Sequence, residues 1–171
     1  MAAASDSAEM PSAARAVFTG GLIAGAIDIT YACVFSYVRR GVPPGRILQS
    51  VASGALGQAA FEGGTTTAAL GLLLHFLIAL IWAALYYFAS RKVSVLARVP
   101  YLCGVIYGLV IFALMNYAVI PLSRAPFGAP PPWSPGFNFG ILVHMLGIGL
   151  PIALATRRYS KPAPSFVGNE R

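Results

Sequence analysis

Charge is scarce in this chain. Asp, Glu, Lys and Arg make up 10% of its 171 residues, against about 25% in an average soluble domain. Only five residues are acidic: Asp6, Glu9, Asp28, Glu62 and Glu170. So few ions cannot clothe a globular surface in water. Cysteine is rarer still. Cys33 and Cys103 form no CxxC pair, which excludes a disulfide framework, and each reads as a small buried hydrophobe. The two histidines, His75 and His144, lack the carboxylate–histidine spacing of a zinc or di-iron site, so no metal centre is expected. There is no His-Glu-x-x-His, no nucleophile elbow and no phosphate-cradling glycine loop. These absences argue against an enzyme.

What the chain has is apolar surface, 57% of its residues, gathered into four runs. They cover residues 17–38, 68–89, 101–121 and 137–156, each close to the roughly 20 residues a helix needs to cross a bilayer. The predicted fold is all-α: an integral membrane four-helix bundle over residues 16–157. Segments 1–15 and 158–171 are expected to be disordered, the second of them basic. The first segment lacks the basic start of a signal peptide, so the first run should remain as a helix. The net charge of +7 does not indicate nucleic acid, because no basic stripe is interleaved with exposed aromatics. Arg91, Lys92, Arg98, Arg157, Arg158 and Lys161 flank helix ends instead. With Arg15 they outnumber Arg39, Arg40, Arg46 and Arg124 on the other side, which places both termini in the cytoplasm.

The connections carry signals of their own. Pro43-Pro44-Gly45 should stop the first helix. Ile47, Leu48, Val51, Ala52, Ala55, Leu56 and Ala59 then recur at helical spacing, predicting a short amphipathic helix over 46–60 that lies in the interface or dips back into the bundle. Glu62 is a candidate ion-pair partner for Arg39, Arg40 or Arg46. Thr65, Thr66 or Thr67 can cap the second span. The proline-rich stretch 122–136 should hold no helix. Trp133, Phe137, Tyr86, Tyr87 and Phe88 suit interfacial aromatic anchors.

Each span contains one strongly polar residue: Asp28, His75, Asn116 and His144. A carboxylate at the bilayer midplane costs on the order of 3 kcal/mol, so Asp28 needs a partner, a proton or a task. Gly21, Ala24, Gly25 and Ala32 share its helix face. Ala68, Gly71 and Ala79 share the face of His75, and Gly140 and Gly147 that of His144. Small residues mark close approach of membrane helices, so these three side chains should point at other helices. Asn116 fits the set least well, lying about 80° around from Gly108 at 3.6 residues per turn. His75 and His144 each sit about seven residues, roughly 10 Å, from the same membrane face.

Four segments together, 21–30 (GLIAGAIDIT), 41–50 (GVPPGRILQS), 61–64 (FEGG) and 116–123 (NYAVIPLS), give a chain that resembles small four-span bacterial inner-membrane proteins of uncharacterised type. The likeness covers 19–123. It implies a bacterial inner membrane and supplies no activity, cofactor or site residue.

The expected function is therefore that of a multi-pass membrane protein whose polar cluster serves proton- or ion-linked transport. One alternative is an accessory membrane subunit whose polar side chains are interhelical hydrogen bonds, worth about 0.6 kcal/mol each. A lesser one is a bis-histidine haem bundle on His75 and His144; the other readings require no cofactor. Besides the lipid bilayer, the partners to consider are a larger membrane protein or a second copy meeting through the GxxxG pairs Gly21/Gly25 and Gly104/Gly108.

Overall fold

The computed structural model describes residues 12–128 and 130–160, which form helices and turns with no strand among them. Four helices are long and apolar enough to cross a membrane: α1 (Ser12–Arg40), α3 (Gly64–Lys92), α4 (Pro100–Leu122) and α5 (Pro135–Tyr159). Between the first two lie α2 (Pro44–Leu56) and a 3-10 turn, Gly57–Phe61. Residues 12–15 and 158–159 are helical, so the expected disorder does not reach them; the rest of those two end segments, apart from residue 160, lies outside the described residues.

The spans overrun their apolar runs because a helix ladder stops only where the backbone makes it stop. Gly41 ends α1 in the left-handed region, φ 66°, with its N–H donated to the Tyr37 carbonyl at 2.8 Å. Pro44 then opens α2 at a position that needs no N–H. The expected threonine cap on α3 does not form. The helix starts earlier, at Gly64, and no side chain caps it. The Thr67 hydroxyl donates instead to the Ala60 carbonyl at 2.6 Å, tying α3 to the preceding turn. The proline-rich loop is shorter than 122–136 at both ends. The α4 helix runs through Pro121 to Leu122, and Ser134 caps α5 by accepting the Phe137 N–H at 3.2 Å, with Pro135 in the first turn.

Small residues set the helix order. Gly21 and Gly25 of α1 lie against Leu80 and Phe76 of α3, and Gly20 against Ile152 and Ala155 of α5. Gly104 and Gly108 of α4 lie against Leu150 and the His144 backbone of α5. Neighbouring spans are therefore antiparallel, in the order α3–α1–α5–α4, with the start of α1 beside the end of α5. Both GxxxG pairs are used inside the chain, which removes them as the expected contact with a second copy. The core is small as well: Ala24, Ala83 and Ala153 are buried with Ile111, Ile148 and Ile152, while Leu73, Leu85 and Leu102 face outward. Large apolar residues outside and small ones inside is how helices pack in lipid.

The second and third spans, α3 and α4, do not pack along their lengths. At one level three aromatics fill the gap: Tyr107 lies 6.3 Å from the Trp82 ring and 4.8 Å from that of Tyr86. Tyr107 donates its hydroxyl to the Trp82 carbonyl at 2.7 Å, and Tyr86 to the Leu96 carbonyl at 2.9 Å. Tyr86 is 1% exposed and Tyr87 5%, so neither is the interfacial anchor expected. Phe88 and Trp133 remain outside.

The first-loop helix is not a free amphipathic segment. It buries Gln49, Ala52 and Ser53 and crosses α3 where Gly71 meets the Leu48 carbonyl. That point is roughly 10 Å along α3 from its first residue. Gln49 donates to the Gly64 carbonyl at 2.9 Å, and the Arg124 N–H to the Gly54 carbonyl at 2.9 Å. The helix is thus joined both to α3 and to the loop that follows α4.

Candidate functional site

Where α3 and α4 stand apart above the aromatic layer, a cavity of about 310 Å³ remains. Asp28 of α1, His75 of α3, Asn116 of α4 and His144 of α5 all line it, together with Ser50 and Gly54 of α2 and Ser123, Ala125 and Phe127 of the loop after α4. Ile78, Trp82, Ile111, Met115 and Ile148 are among the apolar residues of its wall. Four residues, one from each span, thus border a single space.

Backbone irregularity helps place two of them. Residues Met115–Val119 and His144–Gly149 form π-helical turns. Each ends just before a proline. Ile120 donates to the Met115 carbonyl and Leu150 to that of Met145, five residues back in both cases. Pro121 and Pro151 have no N–H to give, and their rings crowd the carbonyl four residues earlier. The wider turn accommodates that crowding. Asn116 and His144 fall within these widened turns, and π turns inside α-helices frequently mark functional sites. The two prolines were the sequence signal for them.

Most of the polar groups are anchored to backbone. His75 Nε2 lies 2.9 Å from the Gly25 carbonyl of α1, and His144 Nδ1 lies 2.9 Å from the Gly140 carbonyl of its own helix. A carbonyl oxygen can only accept, so in each ring the named nitrogen carries the hydrogen. In a neutral ring the other nitrogen is then an acceptor. Asn116 Nδ2 donates to the Phe112 carbonyl at 2.9 Å, and the Ser50 and Ser123 hydroxyls donate to Ile47 and Ile120, each at 2.7 Å. Asp28 differs: its carboxyl has no hydrogen-bond or ion-pair partner among the described residues. Among the described residues no Lys or Arg lines the cavity.

The expected ion pairs of Glu62 with Arg39, Arg40 or Arg46 do not form. Arg46 donates to the Phe61 carbonyl at 2.9 Å and lies over the Phe61 ring, 4.5 Å from its centre. Arg40 donates to the Ser36 hydroxyl at 3.3 Å. Arg39 and Glu62 are exposed, where an ion pair gains little over hydration. Among the described residues no three His, Cys, Asp or Glu side chains converge closely enough to hold a metal ion. His75 Nε2 and His144 Nδ1 are already held by backbone carbonyls, so any haem ligation would fall to His75 Nδ1 and His144 Nε2. Compared with protein-family models, curated proteins and solved structures, the chain matches none.

Proposed function

We propose that this four-span membrane protein carries protons or another cation, with the cavity as the binding site and Asp28 as its charge. The observation that carries the reading is the unpartnered Asp28 carboxyl in a cavity bordered by polar residues from all four spans. A carboxyl inside a membrane span without a partner is costly to keep unless it has a task. His75 and His144 line the same cavity, and imidazole is a side chain able to take up and release protons. The reading is non-enzymatic. We propose that both termini are cytoplasmic, on the excess of Arg91, Lys92, Arg98, Arg157 and Arg158 at the end of the bundle where α1 begins, and that the membrane is a bacterial inner membrane, on the resemblance alone. The cavity then faces the opposite side, beneath α2.

In proteoliposomes under an imposed potential, wild-type protein is expected to give proton or cation flux above that of protein-free vesicles. Asp28→Asn should reduce it to the protein-free level while moving the melting temperature by only a few degrees. A wild type that moves no ion, with Asp28→Asn altering only thermal stability, would refute the reading. The accessory-subunit alternative would then gain. Its support is the His75–Gly25 bond, which joins α3 to α1; His144 and Asn116 bond within their own helices.

A further inference from the structure

We infer that the cavity's cargo is a small organic ammonium ion bearing N–H hydrogens, and not a metal ion or an anion. The inference rests on the cation-carrying reading above and narrows it to a chemical class. The hydrogen-bonding groups of the cavity are unbalanced. His75, His144, Asn116, Ser50 and Ser123 each spend a donor on a backbone carbonyl. In neutral rings what remains is His75 Nδ1 and His144 Nε2, which with Asn116 Oδ1 and the oxygens of Asp28 are acceptors. Against these stand one remaining Asn116 amide hydrogen and the Trp82 indole N–H. An acceptor-rich lining with one carboxylate and no cationic side chain selects a positively charged donor and repels an anion.

These groups are also spread over the cavity wall. They come from four helices, and Asp28, His75 and His144 do not form a group able to hold a metal ion. A metal ion needs ligands gathered around a single centre. A molecule several atoms across, with more than one N–H, can reach acceptors set on different walls. Size and lining point the same way. The volume, about 310 Å³, corresponds to roughly ten waters and lies at the lower end of small-molecule pockets. Between the acceptors the wall is Ile78, Ile111, Met115 and Ile148, which favours a cation with an apolar body. The indole of Trp82 is the aromatic face best able to attract such a charge.

The test uses the full chain in lipid nanodiscs with Trp133→Phe, which leaves Trp82 as the sole tryptophan reporter. Propylammonium, phenethylammonium, tetramethylammonium and sodium are titrated in turn against Trp82 fluorescence and by calorimetry. The primary ammonium ions should bind saturably, and tetramethylammonium, which has the charge but no N–H, at least tenfold more weakly. Asp28→Asn should weaken primary ammonium binding by tenfold or more. Asn116→Ala, which keeps the charge, should weaken it a few-fold and leave tetramethylammonium unchanged. Equal binding of tetramethylammonium and the primary amines would overturn the inference, as would sodium binding more tightly than either. Asp28-dependent proton or sodium flux with no ammonium binding would overturn it too, yet leave the cation-carrying reading standing. Loss of both flux and binding in the wild type would remove the two together.

Discussion

Gly108→Ala is expected to destabilise the bundle by about 2 kcal/mol, although the same change in an exposed helix stabilises by up to about 1 kcal/mol. The reversal of sign comes from what a methyl group would meet. At Gly108 it would run into the carbonyl and carbon of His144 and the Cα of Met145, which are backbone atoms of α5. Backbone cannot rotate away as a side-chain tip can, so α4 and α5 must separate. Separation loosens the Gly104 contacts with Leu150 and Ala153 as well. It also disturbs the π turn that begins at His144. Gly45 supplies the control. It is helical, in the first turn of α2, and has no atom within 4 Å of a would-be methyl group. Gly45→Ala should therefore be neutral or mildly stabilising. Reversible unfolding in mixed micelles measures both; a Gly108→Ala variant as stable as the wild type would mean that α4 and α5 are not held this closely.

That contrast also marks where the sequence is legible. The four spans stand out because an apolar run of bilayer length, in a chain with so little charge, has only lipid to face. Asp28, His75 and His144 could be assigned to helix–helix faces because each is surrounded, at helical spacing, by glycine and alanine. Asn116 was harder. Its angle from Gly108 is real, but Gly108 faces α5, while the cavity opens on the adjacent side, toward α3. A packing face and a cavity face of one helix need not coincide. The partner of each glycine pair was not legible either, since GxxxG reports that backbones approach closely without saying whose. Gly21 and Gly25 meet α3, and Gly104 and Gly108 meet α5, all within one chain. The burial of Tyr86 beside Tyr107 follows from the gap between α3 and α4, a tertiary feature with no local signature. The π turns were foreshadowed only by Pro121 and Pro151, because hydropathy carries no information about hydrogen bonds to the fifth residue back.

Gly71→Ala should act locally, in contrast to Gly108→Ala, and its consequence should be functional. A methyl group at Gly71 would run into the Leu48 carbonyl and approach the Ala52 nitrogen at 3.2 Å. Both belong to α2, which does not cross the bundle and is flanked by Gly41 and Gly57, each with positive φ. The easiest response is for α2 to lift from α3 while the four spans stay packed. Lifting would cost the Gln49–Gly64 hydrogen bond and the burial of Ala52 and Ser53, about 2 kcal/mol in all. At roughly 1.4 kcal/mol per factor of ten, amide exchange in α2 should accelerate by tenfold or more while exchange in α1 and α5 stays near wild type. Ser50 and Gly54 of α2 line the cavity, so the same movement opens its roof. Ion flux through reconstituted Gly71→Ala should rise or lose its dependence on Asp28, where a purely structural α2 would leave flux untouched. Faster exchange spread evenly over all helices would mean that α2 is integral to the bundle, and unchanged exchange everywhere would mean that Leu48 does not lie against Gly71.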